Sequence, residues 1–226
     1  MRIAKGILAF SSVLSIWTLG SFARADAAPW QSTGESNGIR LFSREVEGTS
    51  LVAVRGEGEV DAPPGKVAHV ILDCTRTHEW VSRLEECKIL RKNSETDYVT
   101  YNHFGTPFIL KDRDFVANIH IDIDKPKKTL TLNFKSVVDP AMPETDYVRG
   151  NIVYSRYVLT EIDGGKRTHF EGEALVDPKG GVPKWIVNMF QKQWPLKTVL
   201  SLRKQVAKPD IVTPAFFQDP FGEKSK

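Results

Sequence analysis

The 226-residue sequence is poor in cysteine, and after residue 22 it has no long apolar run. Cys74 and Cys87 are its only cysteines, and two alone do not make a structural zinc site, which takes four ligands. No uncharged stretch after Phe22 approaches the roughly 20 residues of a membrane-spanning helix. No internal repeat or low-complexity linker divides the chain. Its five histidines, at 69, 78, 103, 120 and 169, show no His-x-x-His or His-Glu-x-x-His spacing. There is no Gly-x-Ser-x-Gly elbow to present a nucleophile. Gly56-Glu57-Gly58 lacks the third glycine and the following Lys-Ser of a phosphate loop. The expectation is therefore no catalytic set, no metal and no cofactor.

What is present begins with the N-terminus. Arg2 and Lys5 precede an uncharged stretch from Gly6 to Phe22, followed by the small-x-small sites Ala23-Arg24-Ala25 and Ala25-Asp26-Ala27. This is the pattern of a secretory signal peptide over residues 1–25, with a mature chain starting at Asp26 or Ala28. Ser11, Ser12, Ser15, Thr18 and Gly20 dilute the apolar stretch, so cleavage is favoured over an uncleaved anchor. The expected destination is the periplasm or the exterior. The full chain has 31 basic and 28 acidic residues; Arg2, Lys5 and Arg24 leave with the signal, so the remainder is balanced. A neutral domain lacks the positive field that a phosphate backbone demands, which argues against nucleic acid as a partner. In an oxidising compartment Cys74 and Cys87 either bridge or stay as two buried thiols; the sequence leaves both open.

Period-two alternation dominates the rest. Ile39 to Glu45 and Leu51 to Val60 read as a strand pair turning around Gly48. Asp61-Ala62-Pro63-Pro64 ends the strand and starts a helix carrying Val67, Val70, Ile71 and Leu72 inward. Leu84 to Arg91 and Tyr98 to Phe104 form a second hairpin, and Arg113 to Asp124 is the clearest strand, with Phe115, Ala117, Ile119, Ile121 and Ile123 on one face. Leu130, Leu132 and Phe134 repeat that face. After a loop over Val138 to Asp146, strands Asn151 to Ile162 and Arg167 to Val176 turn at Gly164-Gly165.

From Val182 the period becomes helical, through Ile186, Met189, Phe190, Val199, Leu200 and Val206. Pro195 falls inside this helix and predicts a kink or a two-part helix. Residues 208–226 read as a C-terminal tail, either folded back or loose. An antiparallel sheet followed by one long helix against a single sheet face is an α+β plan, and a curved sheet of this kind can enclose a cavity.

Four motifs carry a resemblance. Arg113-Asp114-Phe115-Val116 after Pro107 resembles the strand opening of START lipid-transfer domains. Asp177-Pro178-Lys179-Gly180-Gly181-Val182-Pro183, with Asn188 in the helix, is similar to their junction between last strand and last helix. Arg167-Thr168-His169-Phe170 and the segment from Asp73 to Trp80 stand in the corresponding order. The match spans about residues 30 to 207. It implies a helix-grip fold, a curved antiparallel sheet whose C-terminal helix covers a tunnel for one lipid. The long N-terminal helix of many members is reduced here to the stretch around Trp30. Where sterol-binding members carry a charge six positions after the motif arginine, this chain has Ile119, so a sterol ligand does not carry over.

The resemblance implies a monomeric lipid carrier or sensor making transient contact with a membrane surface. Phe115, Ile119, Ile121, Leu132, Phe134 and Tyr154 are expected on the tunnel wall, with Trp80 beside them. Trp185, Met189 and Phe190 are expected on the lid, and Arg156 at a ligand head group if it faces inward. Each ligand methylene buried there contributes about 0.8 kcal/mol. Related helix-grip domains include cyclases and dehydratases; for that reading Tyr101 and His103, on one strand face, are the candidate acid and base. His169, Glu171 and Glu173 share a face suited to a metal, but a solvated strand face is the commoner cause. Arg113 and Asp114 are expected to form a structural charge pair.

Overall fold

The computed structural model describes residues 28–106 and 110–222, and within the last long helix it describes all side chains except those of Lys184 and Phe190. The expected signal peptide therefore lies outside the described residues. Strands β1 (Gln31–Ser36), β2 (Ile39–Glu45) and β3 (Val52–Val60) lead into helix α1 (Pro64–Leu72). A 3-10 turn at Thr77–Glu79 precedes β4 (Leu84–Lys92), β5 (Asp97–Phe104), β6 (Arg113–Asp124), β7 (Thr129–Ser136), β8 (Val148–Arg149), β9 (Asn151–Ile162) and β10 (Arg167–Asp177). Helices α2 (Lys184–Val206) and α3 (Ala215–Gln218) close the chain.

One sheet holds all ten strands in the order β1-β2-β3-β10-β9-β7-β6-β5-β4, with the short β8 paired parallel to the start of β6. All the other pairings are antiparallel, and the sheet curves. The stretch after Trp30 is strand β1 rather than a shortened helix. Asn37 and Gly38 both take positive φ (54° and 66°), the backbone of a two-residue hairpin, and hold β1 on β2.

The concave face meets the helices. Ile119 and Ile121 of β6, Leu130 and Leu132 of β7, Leu159 of β9 and Phe170 of β10 pack with Val67, Val70 and Ile71 of α1 and Val199, Leu202 and Val206 of α2. Proline in its first turn starts α1, since Pro64 surrenders an N–H that would have no helical partner there. The tail is part of this core: Ile211, Phe217 and Phe221 are buried in it, and α3 packs against α1. Glu79 fastens the end of α2 by accepting from Gln205 Nε2 (2.9 Å) and Lys208 Nζ (2.6 Å).

Pro195 does not break α2, which runs unbroken from Lys184 to Val206. Pro195 is seated on Gly56, where a Cβ would stand only 2.7 Å from the proline's own. Packing against a side-chain-free position offsets the lost hydrogen bond.

Cys74 and Cys87 form a disulfide, with Cα atoms 5.1 Å apart. Cys87 lies opposite Asn102 in the β4–β5 ladder, so the bond pins the segment after α1 to that end of the sheet.

Candidate ligand-binding interior

The strand registers define what the concave face presents. Ala174, Ser155, Phe134, Ile119 and Tyr98 stand side by side in one row across five strands. Gly56, Gly172, Tyr157, Leu132 and Ile121 form the next. Rings gather where α2 crosses: Tyr157 meets Phe134 edge-on at 5.5 Å, and Phe170 at 5.7 Å and Trp194 at 6.0 Å at tilted angles. Toward β5 the face continues through Ala117 and Thr100, then Phe115 and Asn102, with Phe104 edge-on to Phe115 at 5.8 Å. Burial pushes the Tyr157 phenol up to about 12, only partly countered by a hydrogen bond with Ser155, so it stays a neutral hydroxyl.

Charge is segregated by the alternation. Across β3, β10, β9, β7, β6 and β5 the concave positions carry charge only at strand ends, in Arg113 and Glu161. The ion pairs Arg40–Glu57, Arg55–Glu171, Arg156–Glu173 and Arg149–Asp114 all lie on the convex face.

Of the expected tunnel residues, Ile119, Ile121 and Leu132 are buried on the concave face, with Phe134 and Trp80 packed against the same cluster and Phe115 further along the face. Trp80 Nε1 is buried without a hydrogen-bond partner. Tyr154 and Arg156 stand on the other face. Tyr154 Oη accepts from Arg44 Nη2 at 3.0 Å, and Arg156 pairs with Glu173 at 3.0 Å. Residues two apart in a strand share a side, and the side here belongs to Ser155 and Tyr157. On α2, Trp185 and Met189 turn outward, 68% and 43% exposed. The covered side instead holds Val187, Asn188, Gln191, Pro195, Val199, Leu202 and Val206. The side chain of Phe190 lies outside those described.

Arg113 and Asp114 do not pair, because neighbours in a strand face opposite ways. Arg113, on the concave side, is held by the carbonyls of Lys111, Pro178 and Lys179 at the loop before α2. Asp114, with no exposed surface, takes Arg149 and Thr145 on the convex side. Tyr101 and His103 share that convex side, where His103 stacks on Tyr147 at 4.0 Å and meets Asp112 at 2.9 Å. Burial, with the Asp114 charge next, pushes Tyr101 up to about 12. The pair proposed for cyclase chemistry thus faces away from the helix-covered interior. Glu171 is engaged by Arg55 and Glu173 by Arg156, leaving His169 beside Glu171 at 3.5 Å on an ordinary solvated face.

Sequence reasoning missed Ser155, Tyr157, Asn188, Gln191 and Trp194. A signal for Gln191 existed in its spacing four residues before Pro195. A cleft of about 520 Å³ opens elsewhere, between the start of α1, the β9–β10 turn and the tail around Phe217 and Phe221. It is open to solvent and α2 does not border it.

A curved antiparallel sheet gripping one long C-terminal helix is a helix-grip fold. The START domain family model matches residues 22–207, and the chain belongs to that family, whose domains bind and transfer lipids. An uncharacterized protein of Pseudomonas aeruginosa is 24% identical over 207 residues, 90% of this chain and 99% of that one. Phosphatidylcholine transfer protein of Mus musculus is 25% identical over 169 residues, 73% of this chain and 78% of that one. The crystal structure of human STARD10 matches with a TM-score of 0.72 at 23% identity, covering 80% of this chain and 74% of that one.

Proposed function

We propose that this chain takes up one lipid between the concave sheet face and the first half of α2, and carries it between surfaces without making or breaking a bond. The observation that carries this reading is the separation of charge: away from the strand ends the face under α2 carries no charged side chain, while Arg40–Glu57, Arg55–Glu171, Arg149–Asp114 and Arg156–Glu173 pair on the other side of the sheet. Such a face solvates an acyl chain and repels a charged one. The name of the mouse relative supports transfer as the mode of action. Trp185 and Met189 are exposed at the start of α2, and Val153, 39% exposed, lies on the neighbouring strand end. These apolar residues suit brief contact with a bilayer surface. The N-terminal residues support export to the periplasm or beyond, and the Cys74–Cys87 bond fits an oxidising compartment.

The test has three readings. The exported protein, extracted with organic solvent, is expected to yield a lipid in about equimolar amount by mass spectrometry. It should also move a fluorescent lipid between two vesicle populations, and its intact mass should start at Asp26 or Ala28. A protein that leaves the vesicles unexchanged and yields no lipid rules out the carrier. Turnover of cyclase or dehydratase substrates that collapses in His103→Ala moves the chain into the enzyme class.

A further inference from the structure

Resting on the lipid-binding reading above, we infer that the ligand's polar group is uncharged and donates hydrogen bonds to α2, at Gln191 and Asn188. Asn188, Gln191, Pro195, Val199, Leu202 and Val206 follow one another at spacings of three and four, which puts them on one side of the helix. From Pro195 onward that side is buried against Gly56 and the core. The same stripe therefore carries Gln191 and Asn188 toward the sheet.

Gln191 Nε2 donates to the main-chain carbonyl of Val176 at 2.5 Å. Only the amide's NH₂ can serve a carbonyl, so this bond fixes which way the side chain is turned. Its Oε1 is then an acceptor directed elsewhere, and it is buried with no partner. One turn earlier, Asn188 Oδ1 is also buried with no partner. Pro195 has no N–H, so the main-chain carbonyl of Gln191 also lacks its usual donor four residues on. Buried polar atoms are nearly always paired, and these two side-chain oxygens have no donor.

A ligand that pairs them must bring O–H or N–H. It must also be uncharged, because among the described residues the concave positions near α2 hold no charged side chain other than Arg113. Arg113, at the strand end, is already bound to three carbonyls. Phosphatidylcholine fails on both counts: its head group is a zwitterion with no hydrogen-bond donor. Lipids ending in a hydroxyl or a secondary amide, such as acylglycerols, long-chain alcohols and N-acylated amino alcohols, satisfy both.

Binding to the purified, lipid-stripped mature protein tests this with oleyl alcohol and its methyl ether, which share a chain and differ by the donor. The wild type is expected to hold the alcohol about tenfold tighter, the ratio that about 1.4 kcal/mol produces. Gln191→Met should abolish that preference while the ether binds as before, and Asn188→Leu should reduce it. Dioleoylglycerol should displace a bound fluorescent alcohol, and dioleoyl phosphatidylcholine should compete at least tenfold more weakly, again about 1.4 kcal/mol. If alcohol and ether bind the wild type equally, if the preference survives in both variants, or if phosphatidylcholine competes as well as the diacylglycerol, the head-group assignment is wrong while lipid binding stands. If no probe binds at all, it is the carrier reading that falls. Circular dichroism of each variant separates lost recognition from lost fold, and either variant suffices if the other unfolds.

Discussion

Arg149 grips Asp114 at two points, Nε to Oδ1 at 2.8 Å and Nη2 to Oδ2 at 3.0 Å, and the carboxylate it holds has no exposed surface. Thr145 adds a third bond at 2.8 Å. Burial alone raises the Asp114 carboxyl, but the bonds from Arg149 and Thr145 outweigh it and hold the group below the usual carboxylate range. Arg149→Leu leaves a buried charge unpaired and should cost roughly 3 kcal/mol in urea denaturation at neutral pH. The pH dependence has a definite sign. Asp114 binds its proton less readily when folded, so its stabilisation is complete above the unfolded value of 3.8 and is lost as pH falls below it. The wild type should therefore lose stability below about pH 4 more steeply than Arg149→Leu does.

The Cys74–Cys87 bond closes a loop of sequence separation 13. Cys74→Ala with Cys87→Ala, or reduction of the wild type, should lower stability by about 3 kcal/mol, since a loop of this length gains most of its freedom in the unfolded chain. Equal denaturation midpoints with and without reductant would contradict this.

Phe217 anchors the tail in the core, and its carbonyl lies where a side chain on Gly65 would have to go, 1.8 Å from an added Cβ. Phe217→Ala should cost about 3–5 kcal/mol, the range for emptying a buried aromatic site. Gly65→Ala should push the tail off α1, seen as rapid proteolytic trimming after Lys208. Unchanged protection in both would mean that the tail is not integral to the fold.

Trp185, 68% exposed, should contribute almost nothing to folding and much to surface contact. Trp185→Ser is expected to change stability by no more than about 0.5 kcal/mol. Co-sedimentation with vesicles should fall several-fold. Loss of stability without loss of vesicle binding would place Trp185 in the fold rather than at a membrane.

Much of this was legible in the amino-acid order. Phe115, Ala117, Ile119, Ile121 and Ile123 alternate with residues that are polar apart from Val116, so their common face needed no structure. The start of α1 at Pro63-Pro64 and the hairpin turn at Gly164-Gly165 were equally local. In β9, however, Tyr154 and Tyr157 offer an aromatic to each side, and nothing within the strand says which one the helix covers. In α2, Trp185 and Met189 look like core residues, while the sheet-facing Asn188 and Gln191 look like surface. The ambiguity is physical: which side of a helix is covered depends on what packs against it, and here two amide oxygens are buried while Trp185 and Met189 are exposed.

By itself the sequence determined the strand segments from Ile39 onward other than the short β8, the breaks between them, the late change to helical period and the family resemblance. Each depends on neighbours a few residues away, through side-chain alternation, proline and glycine. Only the tertiary structure decided which face of β9 lies under α2, that Arg113 and Asp114 part company, and that the tail enters the core. Those outcomes depend on register. Gly172 is set against both Gly56 and Tyr157, and Pro195 comes to rest on Gly56. Partners so far apart in sequence meet only when the whole sheet has closed, and a one-residue shift in any strand would exchange its two faces.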